Sequence, residues 1–230
     1  ICVEYFKIFT KPKTFLILFI FVKDKISLLF YKVKLLFNHR WIMQRLLLID
    51  GHNLLFKMFY GMPFPFFNDS NTNITATVGF IGSVIKMLKY TNANECLIVF
   101  DGENNKDIRP DQNYKANRQT DYGNLPDEEN PFSQLKYIKA VLNELKIKWV
   151  ETDRIECDDY IAIVAQKYTG EVIISSTDTD FFQLVNDNIK ILKYRGKNSI
   201  LIDKNYIKNK FEIFPCQFAL YKSLIGDTAD

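Results

Sequence analysis

Short apolar runs alternate with segments of helically spaced apolar residues along most of the chain. An apolar run that ends in a turn indicates a strand buried on both faces, and a 3.6-residue spacing indicates an amphipathic helix. The predicted strands are 46–49, 95–100, 147–150 and 171–175, followed by a hairpin of 189–194 and 199–202. The predicted helices are 53–60, 77–89, 131–145, 156–168, 180–185, 204–211 and 215–224.

Strands that alternate with helices predict an α/β fold, a three-layer sandwich with a mostly parallel central sheet. Ligands of such sheets collect beyond the carboxyl ends of the strands. The segment 104–130 is polar and short of aliphatic residues. It is too long for an ordinary connection, which favours a functional excursion.

Acidic residues recur in five motifs, LLLIDG, LIVFDG, IECDDYIA, ISSTDTDFFQL and LIGDTAD. Their nine carboxylates are Asp50, Asp101, Glu156, Asp158, Asp159, Asp178, Asp180, Asp227 and Asp230. Burying an unpaired carboxylate is costly, so acids that converge at strand ends indicate cations. An all-oxygen set favours Mg²⁺ or Mn²⁺ over zinc. Two such cations can clamp the attacking and leaving oxygens of a phosphodiester.

Each acid taken alone has a structural interpretation. Asp50 and Asp101 follow strands and are expected as helix caps. Asp158 and Asp159 at a helix start suit the helix dipole. The DTD motif resembles the opening of a calcium loop, but the glutamate of that loop's twelfth position is missing. Only the joint pattern favours a metal site.

The first 42 residues lack the alternating strand and helix patterns of the rest of the chain. An apolar stretch at 14–22 lies between lysines, but it is short for a membrane span and no small-residue cleavage site follows it. We expect translation to start at Met43, with 1–42 as upstream sequence and 43–230 as the catalytic core. The alternative is a targeting or anchoring extension. A start at Met43 predicts a cytoplasmic protein, and a genuine leader leaves organelle targeting open.

The net charge of +3 is unevenly distributed. Residues 1–42 carry eight Lys and Arg against two acids, and the remainder carries 22 against 25. Without the nine motif carboxylates that remainder is basic, which suits a polyanionic substrate. The four cysteines form no CxxC pair, which argues against structural zinc and favours a reducing compartment.

In order and spacing, the acidic motifs resemble the 5′-nuclease family, which includes the 5′–3′ exonuclease domain of bacterial DNA polymerase I, phage 5′ exonucleases and flap endonucleases. The resemblance covers 45–230. It implies a PIN-like core that hydrolyses DNA with free 5′ ends or 5′ flaps during replication or repair, using two divalent cations. The implied first metal group is Asp50, Asp101, Glu156 and Asp158. The implied second group is Asp159, Asp178, Asp180, Asp227 and Asp230.

The polar excursion contains the basic motif YKANR. Lys115 and Arg118 are three residues apart and share a face if helical, with Tyr114 beside them for base stacking. Alone, this motif is typical of a solvated helix start. The resemblance implies instead an arch over the active site, in which Lys115 and Arg118 contact the scissile phosphate and assist catalysis. Arg109 is a weaker candidate for steering the strand.

Residues near the first strand are secondary candidates. Gln44 and Arg45 precede that strand and could approach a phosphate, whereas His52 is expected to be structural. The aromatic stripe of Phe56, Phe59 and Tyr60 is expected in the core first and as a stacking surface second.

The last motif ends the sequence where the family continues into a helix-three-turn-helix module. We therefore expect a core that lacks this module and, on its own, binds DNA weakly. A PIN-type ribonuclease and a non-catalytic DNA-binding module remain alternatives. A haloacid-dehalogenase-like phosphatase is disfavoured because it needs Asp-x-Asp after the first strand. We expect a monomer with no membrane partner.

Overall fold

A computed structural model of the chain describes residues 44–102 and 125–226. The strands in these ranges are β1 (Arg45–Asp50), β2 (Glu95–Phe100), β3 (Lys148–Glu151), β4 (Glu171–Ser175), β5 (Ile189–Lys193) and β6 (Ile200–Ile202). They form one sheet in the order β3-β2-β1-β4-β5-β6. Strands β1 to β5 pair with one another in parallel, and β6 pairs antiparallel with β5. The predicted mostly parallel sheet with an edge hairpin is confirmed.

Helices cover both faces of this sheet. They are α1 (Gly51–Gly61), α2 (Thr75–Thr91), α3 (Leu135–Glu144), α4 (Cys157–Lys167), α5 (Lys204–Phe211) and α6 (Phe218–Ile225). Short 3-10 turns occupy Pro131–Gln134, Asp180–Leu184, Gly196–Asn198 and Pro215–Gln217. Two predicted helices therefore begin as 3-10 turns, each with proline in its first turn. Among the described helices, none combines the length and apolarity that crossing a bilayer requires.

The apolar core consists of two clusters, one on each face of the sheet. In β1, Leu46 and Leu48 face one apolar cluster, and Leu47 and Ile49 face another. The first cluster packs the sheet against α4, α5 and α6, and the second packs it against α1, α2 and α3. Because successive side chains of a strand point to opposite faces, this alternation produces the three-layer sandwich.

The amino ends of the strands are closed by an ion cluster. Arg45 lies 2.6 Å from Glu171, and Lys190 lies 2.7 Å from the same carboxylate. The Gln44 carbonyl accepts a hydrogen bond from the Glu171 amide. Arg45 and Gln44 thus lie at the edge of the sheet opposite the acidic strand ends. The suggestion that they approach a substrate phosphate is wrong, because Arg45 is bound by a partner 126 positions away.

Candidate active site

One open cleft at the carboxyl ends of the strands collects side chains from four separate segments. Its volume is about 570 Å³. Its acidic lining residues are Asp50 from β1, Asp101 after β2, Glu156 and Asp158 at the start of α4, and Asp178 after β4. Parallel strands end at a common edge, so their terminal acids meet although they are far apart in sequence.

Asp50 caps a helix and also lines the cleft. Its Oδ1 accepts a hydrogen bond from the Asn53 amide at 3.0 Å and caps α1, and its Oδ2 accepts one from the Ser176 hydroxyl at 3.0 Å. Burial raises the pKa of Asp50 to about 6, and the charge of Asp101 acts in the same direction. The two hydrogen bonds and His52 oppose this rise. The negative charge on Asp50 is therefore costly in the protein without a cation.

Asp101 is oriented by the start of α4 and by His52. The Cys157 amide donates to Asp101 Oδ1 at 2.8 Å, and His52 Nδ1 lies 3.5 Å from Asp101 Oδ2. The His52 ring packs 5.7 Å from that of Phe100 and 5.2 Å from that of Phe132, measured between centroids. Its buried Nε2 has no hydrogen-bond partner among the described residues. His52 therefore packs as predicted and also contacts a site carboxylate.

The DTD motif sends its two acids to different places. Asp178 lines the main cleft, where its Oδ1 accepts a hydrogen bond from the Asp180 amide at 2.8 Å. Asp180 starts a 3-10 turn, lines a second, neighbouring cleft and forms an ion pair with Lys222 of α6. Asp159 is exposed on α4 and is not part of the lining of either cleft. The structure thus brings the first implied metal group together and divides the second.

Several predicted residues lie outside the described ranges. They are Asp227 and Asp230 of the last motif, and Arg109, Tyr114, Lys115 and Arg118 of the polar excursion. Their assignments to the metal site and to the arch stay predictions, as does the division of the chain at Met43.

The cleft also contains residues that sequence reasoning missed. Asn53 Nδ2 donates to Thr177 Oγ1 at 2.6 Å, and the Thr177 amide donates to Asn53 Oδ1 at 3.1 Å. This pair ties the start of α1, next to Asp50, to the loop after β4 that carries Asp178. Lys57 and Arg195 line the same cleft. These contacts join positions more than a hundred residues apart and leave no local signal in the sequence.

The donor chemistry of the cleft fits a hard divalent cation. All five acidic groups offer carboxylate oxygens, the ligands that Mg²⁺ and Mn²⁺ prefer. Within the described residues, no three His, Cys, Asp or Glu side chains are already grouped to hold a metal ion. Burial raises the pKa of Asp50 and the charge of Asp101 acts in the same direction, so a bound cation would favour the ionised form of this carboxylate.

A family model described as the 5′-3′ exonuclease, N-terminal resolvase-like domain matches residues 45–212. The chain belongs to this family. The family consists of nucleases that hydrolyse phosphodiester bonds, as the sequence predicted. Among its relatives, DNA polymerase I of Borreliella burgdorferi is 31% identical over 82% of this chain and 21% of its own length. The thermostable DNA polymerase I of Thermus aquaticus is 30% identical over 81% of this chain and 22% of its own length.

The chain spans about a fifth of the length of the curated relatives it matches. Two solved nuclease structures support the fold. T5 5′-exonuclease with bound zinc has a TM-score of 0.60 at 21% identity, covering 81% of this chain and 68% of its own. Flap endonuclease-1 of Methanococcus jannaschii has a TM-score of 0.52 at 17% identity, covering 76% and 62%. The predicted α/β nuclease fold is confirmed.

Proposed function

We propose that this chain is the catalytic core of a divalent-metal-dependent 5′–3′ exonuclease or flap endonuclease that hydrolyses DNA in replication or repair. The observation that supports this function is the convergence of carboxylates from four segments in one open cleft. Carboxylates that converge in this way repel one another, so a bound divalent cation would stabilise the cluster.

Two groups of residues would hold the cations. Asp50, Asp101, Glu156 and Asp158 form the first group, and Asp178 leads the second together with Asp159, Asp180, Asp227 and Asp230. When bound, two such cations supply a water nucleophile at neutral pH and stabilise the charge on the leaving oxygen.

The protein's own part is orientation. The Asn53–Thr177 pair and the Ser176 hydroxyl fix the Asp50 carboxylate, and the Cys157 amide fixes Asp101. Preorganised ligands avoid the cost of rearrangement during the reaction. Lys115 and Arg118 are proposed to neutralise the scissile phosphate from the arch.

The decisive test is Asp178→Asn in the full natural protein, assayed on 5′-flap DNA with Mg²⁺. This change keeps the side-chain volume and removes one cleft charge, so cleavage should fall by about a hundredfold or more, as for other preorganised site charges. The matched control is Asp187→Asn, which alters a carboxylate that is 88% exposed and pairs with Lys204 outside the cleft. It should cleave at the parental rate.

Two outcomes would contradict the proposal. Parental cleavage by Asp178→Asn would remove the cleft from the chemistry. Hydrolysis of single-stranded RNA with no hydrolysis of DNA would replace the DNA nuclease by a PIN-type ribonuclease.

A further inference from the structure

A second cleft, of about 430 Å³, lies where the 3-10 turn Asp180–Leu184 faces α6. Across this cleft, Lys222 of α6 donates a hydrogen bond from Nζ to Asp180 Oδ1 and forms an ion pair with that carboxylate. The Lys222 side chain is 19% exposed, and that of Asp180 is 50% exposed. One of the acids implied for the second metal group is therefore paired with a cation that belongs to the protein itself.

The two elements that carry this ion pair are held together by aromatic packing. The Phe182 ring of the turn and the Phe218 ring of α6 are both buried, and their centroids lie 5.0 Å apart. Lys222 lies four residues after Phe218 and thus on the same face of α6. Because buried rings hold both backbones, the ammonium and the carboxylate can separate by rotation of the lysine side chain alone.

Asp180 is also connected to the main cleft through its backbone. The Asp180 amide donates to Asp178 Oδ1 at 2.8 Å, and the Asp178 amide donates to Ser176 Oγ at 3.1 Å. The Ser176 hydroxyl in turn donates to Asp50 Oδ2 at 3.0 Å. The turn that carries Asp180 is thus tied to the acids of the main cleft, whereas Lys222 reaches it from a separate element on a flexible stem.

We propose that Lys222 is an internal counter-ion of Asp180, which holds this carboxylate in the cation-free protein and is displaced from it when a divalent cation binds. A divalent cation attracts a carboxylate about twice as strongly as an ammonium does at the same distance, and carboxylate oxygens are its preferred ligands. Displacement breaks one ion pair, so Lys222 lowers the affinity of the site for cations. This inference rests on the proposed function in taking Asp180 as a cation ligand.

The first measurement is the affinity of the full chain for Mn²⁺, by isothermal titration calorimetry without nucleic acid. Lys222→Met removes the ammonium and keeps most of the side-chain stem, so it should tighten Mn²⁺ binding about fivefold, the value of one partly exposed ion pair. In the Asp180→Asn background, the same substitution should change the affinity by less than about twofold, because the carboxylate that Lys222 holds is gone. Lys222→Arg should stay near the parental affinity, because it keeps the ion pair.

The second measurement is the melting temperature in EDTA and in saturating Mn²⁺. In EDTA, Lys222→Met should melt about 2–4 °C below the parent, the shift that the loss of one such pair gives in a chain of this size. In Mn²⁺ this difference should disappear, because the parent has already given up the pair. Lys204→Met is the matched control, because Lys204 pairs with Asp187 at 2.7 Å outside both clefts. Its difference from the parent should be the same in EDTA and in Mn²⁺.

Unchanged Mn²⁺ affinity of Lys222→Met would overturn the counter-ion. An equal gain in the Asp180→Asn background would do the same, because it would indicate charge acting through space instead of an ion pair. Weaker Mn²⁺ binding by Lys222→Met would also overturn it, because Lys222 would then support the site.

This result is independent of the cleavage test. Tighter Mn²⁺ binding by Lys222→Met beside parental cleavage by Asp178→Asn would retain the counter-ion and reject the proposed chemistry. Unchanged Mn²⁺ binding by Lys222→Met beside an inactive Asp178→Asn would reject the counter-ion and retain the chemistry.

Discussion

At the scale of single residues, Asp50 combines a structural benefit with an electrostatic cost. Its oxygens cap α1 and accept the Ser176 hydroxyl, which stabilises the fold. Its burial raises its pKa to about 6, so the ionised form found near neutral pH is disfavoured in the folded state. A bound cation would offset that cost, and a neutral amide would remove it.

Asp50→Asn should therefore stabilise the protein in EDTA near neutral pH. A carboxyl whose pKa rises from 3.8 to about 6 on folding carries a cost of up to about 3 kcal/mol when ionised. The asparagine oxygen can still accept the Asn53 amide. Urea unfolding should show a higher free energy of unfolding, while Asp187→Asn stays within about 0.5 kcal/mol of the parent. A destabilised Asp50→Asn would mean that the capping carboxylate contributes more than its burial costs.

At the scale of elements, the Asp-Gly pairs at the ends of β1 and β2 bring the acids close together. A Cβ on Gly51 would lie 2.4 Å from Phe100 Cδ1, and a Cβ on Gly102 would lie 1.9 Å from the Thr152 carbonyl oxygen. The Thr152 amide also donates to the Phe100 carbonyl at 2.9 Å. Glycine is required here because the strand ends approach too closely for any side chain.

Gly102→Ala should force the ends of β2 and β3 apart and displace Asp101. The clash is with backbone, which cannot move aside cheaply, so we expect a loss of about 2–3 kcal/mol in urea unfolding. Gly82→Ala is the control, because a Cβ added at this position of α2 would meet nothing within 4 Å. Helix propensity predicts that Gly82→Ala raises the free energy of unfolding by about 0.5–1 kcal/mol. Equal effects of the two substitutions would exclude close packing as the role of Gly102.

The elements were more predictable than the contacts between them. The bounds of β2 and β4 match the predicted 95–100 and 171–175, because a strand buried on both faces leaves an unbroken apolar run. The position of Asp180 was not predictable, because a 3-10 turn starts there and directs it to Lys222. Arg195 and Lys57 come to line the same cleft only through the fold, so neither residue carried a sequence signal.

At the scale of the whole molecule, the two edges of the sheet treat charge in opposite ways. At the amino edge, Glu171 is only 9% exposed and lies between Arg45 and Lys190. Burial alone would raise the pKa of Glu171, but its hydrogen bonds to Lys190 and Arg45 lower it below its ordinary value. At the carboxyl edge, acids face acids, and the pKa of Asp50 is raised. The charges at the amino edge stabilise the fold. The carboxylates at the carboxyl edge destabilise it, but they are the groups that could bind cations.

These opposite shifts predict a stability maximum at mildly acidic pH in EDTA. The raised pKa of Asp50 gives stability that is present when it is protonated and is lost as pH rises through about 6. The lowered pKa of Glu171 gives stability that is present above its ordinary value and is lost as pH falls through the folded value. Thermal unfolding across this range should show that Asp50→Asn flattens the neutral side of the profile and Glu171→Gln flattens the acidic side. If both variants had pH profiles parallel to that of the parent, other groups would cause the pH dependence. If one variant flattened both the acidic and the neutral side of its profile, the two edges would be coupled through β1 and β4.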